Sequence, residues 1–401
     1  MNKVIIDEQK IDKFLERGVF EIFPSKEQLK KKLMSGERLK IYQGFDPTGP
    51  YLHVGHAIGI RALRILQELG HEVIFLVGDF TSKVGDPDKS STRKILTDKE
   101  IEKNMSGWKK QASQLIDFGG KNPVRFERNY KWLSKLKLED VLKLMSNFTI
   151  QQTLQRDLFK KRLKEDIPLQ MHEIMYPLMQ GYDGVAMGVD IEIGGADQTF
   201  NMLVGRDLSK IYLNKEKFVR TNKMMDAPDG ITMSKTKGNG INLGDDATQM
   251  FGKAMSYPDS AILSGLELLT NVSMEEIQKI DKQIKEGVNP MQFKKIMAFE
   301  IVKVIKSEKE AKLAQENWEK IFSKKEIPDN VEEIKVMNNQ KLIDILSINK
   351  IVSSKSDFKR LVDEGAITNM TTNKKITSYD EVVKNGIYKI GKKRFIKITI
   401  K

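Results

Sequence analysis

The chain has 401 residues, 39% hydrophobic and 31% charged, which is enough for two or three domains with sizeable cores. No apolar run approaches the ~18 residues of a spanning helix, the start Met1-Asn-Lys-Val-Ile-Ile-Asp-Glu-Gln-Lys10 has no signal-peptide core, and zero cysteines exclude disulfides, thiolate catalysis and cysteine-ligated zinc; a soluble, cytoplasmic protein without a membrane partner is expected. The net charge is +13, and from Lys335 to Lys401 stand 15 Lys and Arg against 6 Asp and Glu, either the electrostatic footprint of nucleic-acid binding or a solvated lysine surface.

Residues 1–35 read as amphipathic helix broken at Phe23-Pro24, with Ser25 and Gln28 as a capping box opening a helix through Met34. A strand at Leu39-Lys-Ile-Tyr-Gln43 is followed by a turn through Pro50 and an apolar-periodic helix that begins near His53 and closes at Gly70. The strand Glu72-Val-Ile-Phe-Leu-Val77 completes a βαβ unit of a parallel sheet, in which ligands bind beyond the carboxyl ends of the strands. The stretch from Ser134 to about Gln180 is mostly helical in pattern, and Val189-Asp-Ile-Glu-Ile193 alternates like a strand. The division expected is 1–245 as an α/β domain with an N-terminal helical extension, 246–325 as an all-α domain, 326–336 as a polar linker and 337–401 as a small basic α+β module.

The pair His53 and His56, three residues apart at the start of a helix with Gly55 between, carries the most chemical information. They share one helix face beside an end that favours anions, and Gly55 lets a flat ring such as adenine lie against the backbone. A His-x-x-His pair is also compatible with a structural or surface role. A metal site is a poorer reading, without cysteines or a His-Glu-x-x-His pattern.

The surroundings of the pair decide more. In order come Tyr42-Gln-Gly-Phe-Asp-Pro-Thr48, His53-Val-Gly-His56, Val84-Gly-Asp-Pro-Asp-Lys89 with Arg93, Tyr176-Pro-Leu-Met-Gln-Gly-Tyr-Asp183, Gly194-Gly-Ala-Asp-Gln198 and Thr232-Met-Ser-Lys-Thr236. From about residue 30 to the C-terminus this series resembles the bacterial type of tyrosyl-tRNA synthetase, a class I aminoacyl-tRNA synthetase with a C-terminal S4 domain. His53-Val-Gly-His56 is similar to the His-Ile-Gly-His signature of that family, and Thr232-Met-Ser-Lys-Thr236 to its Lys-Met-Ser-Lys-Ser loop.

The resemblance implies a Rossmann-like catalytic domain, a helical anticodon-binding domain and an S4-like RNA-binding domain. It implies activation of L-tyrosine with ATP, Mg2+ accompanying the nucleotide, no resident metal, transfer to tRNA(Tyr), and a homodimer with its interface near Phe148–Gln155. Thr48, His53, His56, Lys89, Arg93 and Lys235 would hold phosphates during catalysis. Tyr42 and Asp183 would flank the phenol hydroxyl, Asp86, Tyr176 and Gln180 the α-amino group, and Gln198 the carboxylate. Gly44, Asp46, Gly55, Gly195 and Asp197, with Lys235, would form the ATP site, and Lys355, Lys359, Arg360, Lys392 and Lys393 the RNA-binding face. Taken singly, Tyr176 and Tyr182 also suit a core, and Asp183 before Gly184 a helix C-cap or turn.

Two positions depart from the pattern. Thr232 stands where the family usually has a lysine, so Lys237 or Lys223 is expected to replace it in part, and Gln43 stands where many relatives have a small residue. The rival readings are a tryptophan-activating relative and an RNA-binding protein on a synthetase scaffold.

Overall fold

Six short strands build one sheet: β1 (Val19–Phe23), β2 (Lys40–Phe45), β3 (Glu72–Val77), β4 (Arg125–Arg128), β5 (Ile191–Gly195) and β6 (Phe218–Asn222), the most apolar of them β3. The computed structural model describes residues 3–86, 96–225, 240–323, 331–337, 339–372, 374–391 and 394–400, which cluster into two units, Met1–Ala311 and Lys312–Lys401. The strand order is β1-β6-β5-β2-β3-β4, parallel except for β1 against β6. From β2 the chain winds outward through β3 and β4, then returns to the other side of β2 with β5 and β6. The order therefore reverses between β2 and β5, and such a switch point opens a crevice at the carboxyl ends of the strands.

The expected βαβ unit is present, with helix α1 (Val54–Glu68) joining β2 to β3. Gly70 ends that crossover at φ 87°, a left-handed conformation that favours glycine. Strand β3 reads Glu-Val-Ile-Phe-Leu-Val and is buried from Val73 to Val77, as a parallel strand covered on both faces should be. The stretch expected to be helical throughout residues 1–35 instead contains β1. Four of its five residues pair with β6, some 200 positions away, and that long-range pairing overrides the local helical pattern. Ser25 does cap the next helix, accepting from Gln28 N.

Helices α2 (Tyr176–Met187) and α3 (Thr199–Leu213) pack closely through Gly181 and Gly205, where an added Cβ on Gly181 would sit 3.0 Å from the Gly205 Cα. Beyond β6 come α4 (Ile262–Leu269) and α5 (Pro290–Ile305), among other helices. The carboxyl end of α4 is capped by two guanidinium groups. Arg17 donates to the carbonyl oxygens of Leu266, Glu267, Thr270 and Val272 at 2.6–2.9 Å, and Arg61 to those of Leu268 and Thr270 and to Asn271 Oδ1. Cations suit this end of a helix, where carbonyls lack partners.

The second unit has its own five-stranded sheet, in which β7 (Glu332–Val336) pairs in parallel with β11 (Arg394–Ile400), and β10 (Gly386–Ile390), β8 (Ile367–Asn369) and β9 (Lys374–Lys375) continue it antiparallel. Helix α6 (Lys355–Asp363) and the helix Leu342–Ile348 share its core through Phe358, Leu346 and Tyr388. Residues Glu332–Val336, within the linker expected at 326–336, are thus an edge strand whose Glu333 pairs with Lys397 at 3.2 Å.

Candidate active site

At the switch point lies a cleft of about 550 Å³, lined from β2 by Tyr42, Gln43, Gly44 and Asp46, from α1 by His53, Gly55 and His56, and from the far side by Tyr176, Gln180, Asp183, Gly195, Asp197 and Gln198. Thr48 and Asp86 complete it. The structure thus brings together every described residue that the sequence proposed for tyrosine and nucleotide. Lys89, Arg93, Lys235, Thr232 and Lys237 lie outside the described residues, as do Lys392 and Lys393.

The two histidines form the start of α1 themselves. His53 is the N-cap, its Nδ1 accepting from Gly55 N at 3.2 Å, while His53 N donates to His56 Nδ1 at 3.0 Å. The rings lie 3.8 Å apart between centroids. Because each Nδ1 accepts, each neutral imidazole carries its proton on Nε2. In both rings Nε2 is therefore the nitrogen that donates, at the helix end where the sequence places an anion site.

One wall is built around Asp183, which is 3% exposed. Its Oδ1 accepts from Trp132 Nε1 at 2.7 Å and its Oδ2 from Asn129 Nδ2 at 3.1 Å. Burial pushes this carboxyl well above the usual range, against the pull of those two donors. The Tyr42 hydroxyl, which lines the same cleft, is buried and has no hydrogen-bond partner among the described residues. Burial, with Glu192 and Asp183 adding to it, holds the Tyr42 hydroxyl in its protonated form. A buried donor without a partner beside a buried carboxyl suits a ligand hydroxyl that can both accept and donate.

A second wall is a chain of side chains. Arg156 Nη2 donates to Asp86 Oδ1 at 2.6 Å, Gln198 Nε2 to Asp86 Oδ2 at 2.7 Å, and Asn201 Nδ2 to the Oε1 atoms of Gln198 and Gln180 at 3.0 Å each. Tyr176 donates its hydroxyl proton to Asp46 Oδ2 at 2.9 Å, and Thr81 Oγ1 donates to Asp46 Oδ1 at 2.8 Å. The Tyr176 oxygen keeps lone pairs for an ammonium donor. Gln43 adds a buried Oε1 without a partner. Lys223 lines the cleft but pairs with Glu267 at 2.8 Å, so its ammonium is held toward α4.

Residues 34–323 match the family described as tRNA synthetases class I (W and Y). The chain belongs to this class I synthetase family. It is 41% identical to the tyrosine–tRNA ligase of Carboxydothermus hydrogenoformans over 96% of both chains, and 37% identical to that of Thermotoga maritima, again over 96% of both. Among solved structures it is similar in fold to a C-terminally truncated mitochondrial tyrosyl-tRNA synthetase of Aspergillus nidulans, with a TM-score of 0.65 and 23% identity over 78% of this chain and 94% of that one. A class I synthetase fold accounts for the parallel sheet and for the histidine pair at its switch point.

Residues that line or support the cleft escaped the sequence reading, among them Asn129, Trp132, Arg156, Glu192 and Asn201. Asn129 and Trp132 follow β4 directly, so the rule that parallel strands present ligands at their carboxyl ends would have flagged them. Arg156 stands among the lysines and arginines before and within the helix Asp157–Lys164, and nothing in that run marks it as buried.

In the second unit, Lys355, Lys359 and Arg360 lie on α6 as expected. Lys355 pairs with Asp344 at 2.8 Å, Arg360 with Asp357 and Glu364 at 2.7 Å each, and the Lys359 ammonium lies 5.5 Å from the Tyr379 ring centre.

Proposed function

We propose that the cleft binds L-tyrosine between Tyr42 and Asp183 and ATP along Gly44, Asp46, Gly55, Gly195 and Asp197, and carries out the two steps of tyrosine–tRNA ligation. The observation that carries this reading is the buried, unpartnered Tyr42 hydroxyl in a cleft that the buried Asp183 carboxyl also lines. A phenol placed there accepts from Tyr42 and donates to Asp183, whereas phenylalanine leaves both buried groups unsatisfied. A site built to hydrogen-bond a hydroxyl rejects the analogue lacking it strongly, with this very enzyme class as the standard example at about 10⁵-fold. Indole, the ring of tryptophan, donates but does not accept, which disfavours the tryptophan-activating alternative.

The substrate supplies the nucleophile. The tyrosine carboxylate forms a bond to the α-phosphorus of ATP, the bond to the bridging oxygen breaks, and pyrophosphate leaves. Asp86, Tyr176 and Gln180 hold the α-ammonium, and Gln198 is placed near the carboxylate. The Nε2–H groups of His53 and His56, with Thr48, stabilise phosphate oxygens as charge shifts onto them. Lys89, Arg93 and Lys235 act on the β- and γ-phosphates, and Mg2+ arrives with the nucleotide.

Transfer of tyrosine to the 3′ end of tRNA(Tyr) follows. The catalytic part spans 1–245, a helical anticodon-binding part 246–325, and an S4-like RNA-binding part 332–401, which includes β7. The ion pairs of Lys355 and Arg360 are exposed and contribute little, so RNA phosphates exchange with them readily. The protein works in the cytoplasm as a homodimer.

ATP–pyrophosphate exchange with tyrosine, phenylalanine and tryptophan in separate reactions tests the proposal. Exchange with tyrosine alone is expected, and exchange favouring either other amino acid would overturn it.

A further inference from the structure

Tyr42 on β2 and Glu192 on β5 are register partners across the point where the strand order reverses, so their side chains leave the sheet on the same face. Glu192 is 2% exposed. Its Oε2 accepts from the ammonium of Lys217, which is fully buried, and its Oε1 accepts from Gln180 Nε2 at 3.2 Å. Space for the lysine is made by Gly205 on α3, since a Cβ there would collide with Lys217 Nζ.

A carboxylate only accepts and an amide NH2 only donates. Glu192 therefore decides which way Gln180 faces, with its NH2 toward β5 and its carbonyl oxygen away. That oxygen takes one proton from Asn201 at 3.0 Å and keeps a second lone pair. At the other end Asp86 and Asp197 draw the NH2 of Gln198 in the same manner, at 2.7 and 3.0 Å. Asn201 must then donate in both directions, and its own Oδ1 is left buried without a partner. The polarity of the whole amide chain is set by carboxylates, of which Glu192 and Asp86 are countered by the buried cations Lys217 and Arg156.

We infer that Glu192, with Lys217 as its counter-charge, is a positioning residue for the substrate, turning the Gln180 carbonyl oxygen to receive the α-ammonium of tyrosine. This rests on the tyrosine-binding reading of the cleft. A neutral amide at position 192 both donates and accepts, so Gln180 would adopt either orientation, and in one of them it presents an NH2 to the substrate ammonium.

The test uses two variants of the full-length protein in ATP–pyrophosphate exchange, with Tm measured alongside. E192Q/K217M removes both buried charges together, and E192D keeps the charge but shortens its reach. Both are expected to raise the KM for tyrosine by roughly tenfold or more, as for a charge-assisted contact, with the KM for ATP within about twofold of wild type. A wild-type tyrosine KM in either folded variant overturns the assignment, as does an equal rise of both KM values at unchanged Tm. Should E192Q/K217M fail to fold, E192D decides, because its buried ion pair is retained. Absence of tyrosine-dependent exchange in the wild-type protein would instead sink the proposed activity.

Discussion

Trp132 and Asp183, 51 positions apart, meet at 2.7 Å, the indole Nε1–H donating to Oδ1 of a carboxyl group that is almost wholly buried. The indole offsets part of the burial cost and fixes the plane of the carboxyl, so that its remaining lone pairs face the cleft. Trp132→Phe keeps the ring and removes the donor. It is expected to lower kcat/KM for tyrosine by about ten- to a hundredfold, the range for a hydrogen bond to a charged group. Asp183→Ala loses more, while Lys359→Ala leaves exchange intact and raises the KM for tRNA. Exchange and aminoacylation assays check this, and equal losses in both steps for both variants would contradict the proposed separation of roles.

Arg156 and Asp86 form a buried pair, with side-chain exposures of 4% and 11%. Arg156→Met strands the carboxylate, which should cost about 3 kcal/mol of stability in denaturant unfolding, as for other broken buried pairs. The double variant Arg156→Met with Asp86→Leu should recover much of that stability and none of the tyrosine affinity. A single variant as stable as wild type would mean that solvent reaches Asp86.

How much of this site could be read beforehand follows from how local each contact is. The placement of His53 and His56 at the head of α1 was legible because it is settled within one helical turn, by spacing and by Gly55. The βαβ unit was legible for a similar reason, since each strand announces itself in six residues. Strand β1 was not, because five residues between two helices carry too short an alternation and their partner β6 lies 200 positions on. Arg156 and Glu192 were hidden more deeply. A buried charge is made tolerable by a partner distant in sequence, 70 positions away for Arg156 and 25 for Glu192, and composition alone assigns such residues to the surface. Thr232, where the family pattern is broken, lies outside the described residues.

His71 links stability to pH. It is 1% exposed, its Nδ1 accepts from Leu39 N at 3.2 Å, and burial, then Arg38, push its pKa down to about 4. The folded state thus favours the neutral ring, whereas the unfolded chain takes a proton near pH 6.5. Below pH 6.5 the unfolded state binds the extra proton, so stability is lost as pH falls from about 6.5 toward 4 and is fully present above that window. The loss should be on the order of 2–3 kcal/mol. In His71→Asn, the difference in unfolding free energy between pH 7 and pH 5 should be smaller than in wild type; an unchanged difference would assign the pH dependence to other groups.

Arg61 is held at the carboxyl end of α4, and burial, then the neighbouring Arg17, push its pKa down to about 9. The charge is disfavoured by its surroundings, yet its N–H groups satisfy carbonyls that have no other partner in the helix. Arg61→Met should therefore destabilise by about 1–3 kcal/mol through the Leu268 carbonyl it leaves unsatisfied, since the Thr270 carbonyl keeps its bond from Arg17, even though a like-charge contact with Arg17 is relieved. Equilibrium unfolding at pH 7 measures the balance, and a stabilised variant would show that the repulsion dominates.

The helix Leu138–Met145 exposes Leu138, Leu142 and Met145 at 74%, 57% and 39%, and Ile150 nearby is 66% exposed. Spaced four and three apart, the first three lie on one helix face, and exposed apolar side chains of this kind, Ile150 among them, suit the cover of an isologous dimer. A carboxylate placed among them would require desolvating two symmetry-related charges at once. Ile150→Asp is accordingly expected to convert a dimer into a monomer at micromolar concentration in sedimentation equilibrium, with little change in the Tm of the isolated protomer fold. A wild-type protein that sediments as a monomer would remove the dimer from the proposed function.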